Sequence, residues 1–354
     1  MKKKLLITCK DQFGYHIDTY KYCKYLSDEY DITYLCLDWG KQRVFSKDIN
    51  IIYIDSKRGV FGKFLYFVKK VISEIRSQQY DAIFLVYFRF CFLATFFSKG
   101  SKMILDIRTG SVSQFNIKRR ISNIELKLSS LFFRHITVIS PGVAQTLGIS
   151  KYNILPLGSD KLIEVKQNSL DIESVNLIYV GTLTNRRIEE TIEGYSLFIN
   201  NCQMESKYTI IGDGEQRDKE KILNAIDKFE LKEKVNLIGR VQHEDLGRYL
   251  ADHNVGVSFV PITDYYNFQP PTKTYEYLMN GLICIATATF ENKKIINKVN
   301  GVLCDDSATS FGDALLVVSN NLGNYKANLI VDSVIEYSWE EITKTKLKPI
   351  LVRR

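Results

Sequence analysis

Strand-length apolar runs recur along the first 160 positions, at 4–9, 32–37, 51–54, 82–86, 103–107, 136–139 and 154–157. Between them the apolar residues fall at helical spacing. A run with no polar position every second residue suits a strand covered on both faces, so the alternation predicts an α/β fold built on a doubly wound parallel sheet. The pattern restarts after a polar stretch, with strand-like runs at 175–180, 208–212, 235–239, 255–261 and 282–286 and amphipathic helices at 189–198 and 307–319. A length of 354 residues fits two such domains. We place them at 1–160 and 175–336, joined by a linker at 161–174.

Ligands of doubly wound sheets bind beyond the carboxyl ends of the strands. In the first domain the first strand leads into Cys9-Lys10-Asp11-Gln12-Phe13-Gly14-Tyr15-His16. Gly14 would let the backbone approach a ligand, and His16 could hydrogen-bond a hydroxyl; the alternative is a plain connecting loop with a surface histidine. The fifth strand leaves through Asp106 and Arg108, which suit either a ligand-facing strand end or a structural ion pair.

In the second domain the richest stretch runs from Pro270 to Gly281. Prolines suit the first turn of a helix and Gly281 suits its left-handed cap, so a short helix is expected there. Its N-terminus, with Thr272 and Lys273 in the first turn, has the makings of an anion cradle. Glu276 shares a face with Lys273. An ordinary helix with a solvated Lys–Glu pair has the same spacing. Upstream, a glycine turn at Gly181 precedes Arg186 and Arg187, and guanidinium groups suit a diphosphate because they donate in fixed pairs. Further turns follow at Gly212-Asp213-Gly214 and at Arg240-Val241.

Composition removes several classes. The seven cysteines are scattered, with no Cys-x-x-Cys pair and no Cys/His cluster, which argues against zinc, iron–sulfur or haem and for reduced thiols. The Lys2-Lys3-Lys4 start is followed by an apolar run that Lys10 and Asp11 interrupt, so it reads as a strand and not as a signal segment. With no run near the ~18 apolar residues of a spanning helix, a cytoplasmic protein is expected. Charge is uneven: 25 Lys and Arg against 13 Asp and Glu through Asp160, then 23 against 27, so the first part carries +12 and the rest −4. Anionic lipid, a lipid-diphosphate acceptor, nucleic acid or mere solvation are all compatible with that. Segments 59–76 and 117–134 are basic and amphipathic, and would either lie on an anionic membrane or pack their apolar faces on the sheet.

Pro-Thr-Lys-x-x-Glu-Tyr-x-x-x-Gly, at Pro271 to Gly281, resembles the nucleotide-sugar segment of glycosyltransferase family 4, the retaining enzymes of GT-B architecture. The resemblance extends over nearly all the chain and is strongest from Leu177 to Gly301. It implies two Rossmann-like domains facing across a cleft, and a closing helix at about 337–354 packed back on the first. It also implies transfer of a sugar from a nucleoside diphosphate to a glycan or lipid-linked glycan, as in bacterial surface polysaccharide synthesis. By that resemblance Arg187, with Arg186 as near alternative, and Lys273 neutralise the leaving diphosphate. Glu276 then binds the ribose, and Gly181, Gly212, Asp213, Gly214, Arg240, Val241 and Thr272 surround the nucleotide. Gly14, His16, Asp106 and Arg108 fall on the acceptor or sugar side. The departing phosphate helps deprotonate the acceptor, so no protein general base is required, and with the basic side chains neutralising the diphosphate and no Asp-x-Asp pair, neither metal nor cofactor is expected. The family's first donor-site Glu falls on Phe268, a departure that bears on the donor sugar. A sugar-nucleotide epimerase and a non-catalytic subunit share the architecture and stand as alternatives. Nucleic-acid binding has no basic-aromatic motif behind it. The membrane contact implied for a lipid-linked acceptor would be peripheral, through the basic N-terminal domain on the inner face of the cytoplasmic membrane.

Overall fold

A computed structural model describes residues 2–55, 59–111, 113, 115–164, 173–242 and 245–352 of the chain. Most of the expected linker, residues 165–172, lies outside them. The chain divides into two compact units. One runs through Leu157 and takes in the chain again from Trp339; the other is Gly158–Ser338.

The first unit is built on strands β1 (Lys3–Cys9), β2 (Tyr30–Leu37), β3 (Ile49–Ile54), β4 (Ala82–Val86), β5 (Lys102–Ile107), β6 (His135–Val138) and β7 (Asn153–Ile154). They form one parallel sheet in the order β3-β2-β1-β4-β5-β6-β7. The winding reverses between β1 and β4, as in a doubly wound fold. Five consecutive residues of β1, Leu5 to Cys9, are buried, which is why these strands read as unbroken apolar runs. The seventh run is shorter than expected. Leu155 still donates its N–H to Val138 at 2.9 Å, but Pro156 has no N–H to continue the ladder.

Helices α1 (Ile17–Leu26), α2 (Val60–Ser77), α3 (Asn116–Ser130) and α4 (Pro141–Leu147) connect these strands. Helix α4 shows how local sequence sets its ends. The Ser140 hydroxyl accepts from the Val143 N–H, Pro141 fills the first position, and Gly148 closes the helix at φ +64°. Helix α2, one of the two basic amphipathic segments, turns Phe67, Val68, Val71 and Ile75 inward, so its apolar face packs on the sheet. The C-terminal segment joins this unit through Trp339, whose ring meets Tyr22 edge-on at 5.7 Å, and through a Lys348–Glu29 ion pair of 2.6 Å.

The second unit holds β8 (Ser174–Val180), β9 (Glu205–Ile211), β10 (Val235–Gly239), β11 (Val255–Ser258), β12 (Ile283–Thr287) and β13 (Gly301–Cys304). They too form a parallel sheet, ordered β10-β9-β8-β11-β12-β13 and reversing between β8 and β11. Around it lie α5 (Ile188–Asn201), α6 (Gln216–Lys228), α7 (Leu246–Ala251), α8 (Thr272–Met279), α9 (Asn292–Ile295) and α10 (Ala308–Asn320). Strand β11 stops three residues before the expected end. There the Thr287 hydroxyl takes the Val260 N–H at 3.2 Å in place of a ladder partner.

Candidate functional site

Strand β8 ends where the second sheet reverses, and its last residues are fixed by two tyrosines that sequence reasoning passed over. The Tyr277 hydroxyl, reaching over from α8, accepts the Val180 N–H at 2.7 Å, and the Tyr179 hydroxyl donates to the Thr182 carbonyl at 2.6 Å. Burial raises the pKa of both phenols and keeps them neutral. The Tyr277 ring fits because β11 carries glycine at 256; a Cβ there would lie 2.2 Å from the ring. That Gly256–Tyr277 match was the sequence signal available.

Helix α8 runs from Thr272 with Pro271 as its cap residue, and Gly281 follows at φ +76°. Its first turn is pinned by Thr274, whose hydroxyl meets Ser258 at 2.7 Å and the Asn292 side chain at 2.9 Å. Lys273 therefore points one way, back across the end of β8. Its ammonium nitrogen sits 3.7 Å over the Tyr179 ring, is shut off from solvent and has no hydrogen-bond partner. Gly181 makes room for it. At φ +145° it is in a region that favours glycine, and a Cβ would stand 3.2 Å from the ammonium.

A second cation is left in the same condition. The Arg186 guanidinium lies 4.1 Å over the Tyr266 ring, and its Nη1 is buried without a partner. Burial, and then the nearby charge of Arg186, lower the Lys273 pKa well below the ordinary lysine value, while the Glu276 carboxylate pulls it back up. Two inward-facing cations without acceptors, beside a positive-φ glycine and a helix N-terminus, form a cradle for an anion.

Arg187 is placed differently from the expectation. It takes a left-handed backbone at φ +55° as the cap residue of α5, and its guanidinium binds Glu190 at 2.8 Å and Asp306 at 3.0 Å. The same Asp306 oxygen accepts the Ile262 N–H at 3.0 Å. Arg187 thus ties the start of α5 to the loop that carries Tyr266, and Arg186 is the arginine that lies with Lys273. Sequence spacing could not separate adjacent arginines; the backbone conformation does.

Beyond the ends of β8, β9 and β10 is a hollow of about 300 Å³ lined by Gly181, Gly212, Asp213, Arg240 and Val241, among others. Gly212 lets two strand ends touch, since a Cβ would lie 1.9 Å from the Gly181 carbonyl. Asp213 binds the Gly214 N–H at 2.9 Å and the Lys219 ammonium at 2.5 Å, and the lysine bond holds its carboxyl below the usual range. It braces the turn. Gly214 is held against Thr184, with Arg240 and Thr272 exposed. Phe268 packs on Phe290 at 5.1 Å between ring centroids.

In the first unit, a cavity of about 670 Å³ opens at the carboxyl ends of β1, β4 and β5 and is lined by His16, Tyr87, Arg89, Arg108, Asn123 and Glu125, among others. Of the four residues expected there, two line it. His16 caps α1 by accepting from the Thr19 N–H, and burial lowers its pKa. Arg108 is committed to structure: it pairs with Asp18 and donates to the Leu155 carbonyl at 2.7 Å. Asp106 lies fully buried beneath, with Thr137 donating to it at 2.7 Å; burial, opposed by Arg108, brings its pKa up to about 6. Gly14 does not line the cavity. Its φ of +87° and the Val44 side chain, 2.6 Å from where a Cβ would be, account for it as a packing glycine. Among the described residues one set could ligate a metal, Cys9, Asp11 and His16, whose ligand atoms lie within 4.8 Å of one another. Burial pushes the Cys9 thiol far up, and it donates to Asp11, so this set favours a protonated sulfur.

Residues 174–321 match the sequence model of the family Glycosyl transferases group 1. No curated protein sequence matches the chain. Solved structures with the same fold include sucrose-phosphate synthase from Thermosynechococcus elongatus, 16% identical over 98% of both chains with a TM-score of 0.71. Anabaena Alr3699/HepE, in complex with UDP and glucose, is 12% identical over 98% of this chain and 99% of its own, with a TM-score of 0.74. A glycosyltransferase from Rickettsia africae is 15% identical over the whole of both chains, also at 0.74.

Proposed function

We propose that this chain, a GT-B protein whose residues 174–321 are a group 1 glycosyl transferase segment, moves a sugar from a nucleoside diphosphate to a glycan or lipid-linked glycan with retention of configuration. The observation that carries the reading is the pair of inward, partnerless cations, Lys273 and Arg186, set beside Gly181 at the reversal point of the second sheet. A diphosphate supplies the oxygens that both lack. As the sugar–phosphate bond breaks, negative charge grows on the diphosphate, and fixed cations in a water-poor site stabilise it without rearranging. Glu276, one turn along α8, accepts from the ribose hydroxyls. The hollow around Gly212, Arg240 and Val241 takes the base. The phosphate oxygens relieve the acceptor hydroxyl of its proton, which fits a site whose first donor-side carboxylate is replaced by Phe268. HepE, which binds UDP and glucose on the same fold, supports a nucleotide-sugar donor, and we assign family 4, bacterial surface glycan synthesis and the cytoplasmic face of the membrane on the same reading.

Glu276→Ala is expected to weaken binding of the nucleoside diphosphate by about 1.5 to 3 kcal/mol, the range for hydrogen bonds to a charged group. Thermal-shift screening against UDP, GDP and other nucleotides finds the base, and titration of the variant then reads the loss. An unchanged dissociation constant removes Glu276 from the site. An epimerase would convert the sugar nucleotide with no acceptor present, so the absence of conversion in that incubation separates the two activities.

Lys273 also predicts proton uptake. Its pKa is depressed when the site is empty, and a bound dianion raises it, so binding takes up part of a proton at any pH between the empty-site and the occupied-site value. Calorimetric titration in buffers of different ionisation enthalpy should give a slope that differs from zero and grows as the pH is raised from neutral. A flat, zero slope would place the diphosphate elsewhere.

A further inference from the structure

Helix α3 is turned inside out. Its inward residues are Leu126, Ser129 and Ser130, with Ser122, Asn123 and Glu125 forming part of the wall of the 670 Å³ cavity. Its apolar residues point the other way: Ile117, Ile121, Ile124, Leu128 and Leu131 are 76, 60, 57, 56 and 72% exposed. Their spacing of four, three, four and three makes one stripe along the helix. Phe115 and Phe132 extend it at either end, 75 and 49% exposed. All five aliphatic residues stay more than half exposed, and Phe132 at the end of the stripe packs on Phe92 at 4.8 Å, whereas α2 buries Phe67, Val68, Val71 and Ile75.

We infer that the outward face of α3 docks on an anionic lipid bilayer, its apolar stripe entering the headgroup–acyl boundary. Charge decides the occupant. Lys118, Arg120, Lys127 and Arg134 flank the stripe and are exposed, while the one acid of the helix, Glu125, is held by Arg89 at 2.7 Å. A stripe with basic margins matches a leaflet of anionic headgroups. A second copy seated on the same stripe would bring like charges together along both margins, a arrangement that coiled-coil seams avoid. The inference rests on the glycosyl-transfer reading only in giving the docking a use: the helix that touches lipid on one side walls the candidate acceptor cavity on the other.

The test is co-sedimentation of the full chain with vesicles of phosphatidylcholine alone and of phosphatidylcholine mixed with phosphatidylglycerol. The protein should pellet with the mixed vesicles and far less with the neutral ones, and added salt should weaken it. Ile121→Glu with Leu128→Glu should lower binding at least about tenfold, and Lys118→Glu with Arg120→Glu should remove the preference for anionic vesicles. UDP binding in the second unit serves as the control for folding. Vesicle binding unchanged in the Ile121/Leu128 variant would overturn the inference. So would a wild-type dimer that this variant dissociates with no vesicle binding by either protein, which would make the stripe an interface between copies. Vesicle binding with no nucleotide binding would leave the docking intact and remove the glycosyl-transfer reading.

Discussion

Lys273→Ala is expected to lower kcat by about 10²- to 10³-fold, the loss typical of removing one donor aimed at developing charge. The affinity for the intact sugar nucleotide should fall much less. Burial has already desolvated the ammonium, which lies over the Tyr179 ring without a hydrogen-bond partner, so a phosphate oxygen gains a cation that no water competes for. Charge on that oxygen is greatest as the sugar departs, so the interaction strengthens along the reaction and appears in kcat before KM. Lys273→Met tests the same charge with the stem's packing retained. It also relieves the folded state of a poorly solvated cation, so its thermal stability should match or exceed that of the parent. Steady-state kinetics beside a melting curve reads both. A variant that melts early and keeps its turnover would make Lys273 a packing residue.

Much of the fold was legible because a buried parallel strand leaves a plain mark. The run at 82–86 coincides with β4, and the run at 235–239 with β10. Where the expectation overran, at 154–157 and 255–261, a proline or a competing hydroxyl ended the ladder, and those are contacts that periodicity does not encode. The site was legible in part for the same reason. Proline and glycine mark the limits of α8, so Lys273 and Glu276 could be placed on it. Which arginine joins Lys273 depends on the left-handed turn at Asn185 and Arg187, at φ +56° and +55°, and non-glycine residues give no warning of that conformation. Tyr179 and Tyr277 were hidden by their apolar bodies, which belong to the strand and helix patterns. The two basic amphipathic segments looked alike in sequence, yet one faces the sheet and the other faces outward. A helix's apolar stripe tells that it is to be covered, not by what.

The adjacent arginines give the second large effect. Arg186→Ala should lower kcat by about 10²-fold with a modest rise in KM, because its buried Nη1 has no acceptor other than a bound anion. Arg187→Ala should do less to turnover. Its guanidinium is spent on Glu190 and Asp306, ion pairs partly open to solvent that contribute at most about 1 kcal/mol. What it loses is the tie between α5 and the loop bearing Tyr266, so kcat should fall modestly through a poorly held Arg186. Arg187→Gly separates the two effects. It removes the same charge but eases a left-handed backbone, and glycine at such a position commonly recovers about 1 kcal/mol. If Arg187 only positions, the glycine variant should melt at or above the alanine variant while the two share a modestly lowered kcat. Equal, large losses of kcat from Arg186→Ala and Arg187→Ala would instead mean that Arg187 leaves its carboxylates to meet the diphosphate, and Asp306→Asn, which loosens it, should then raise turnover.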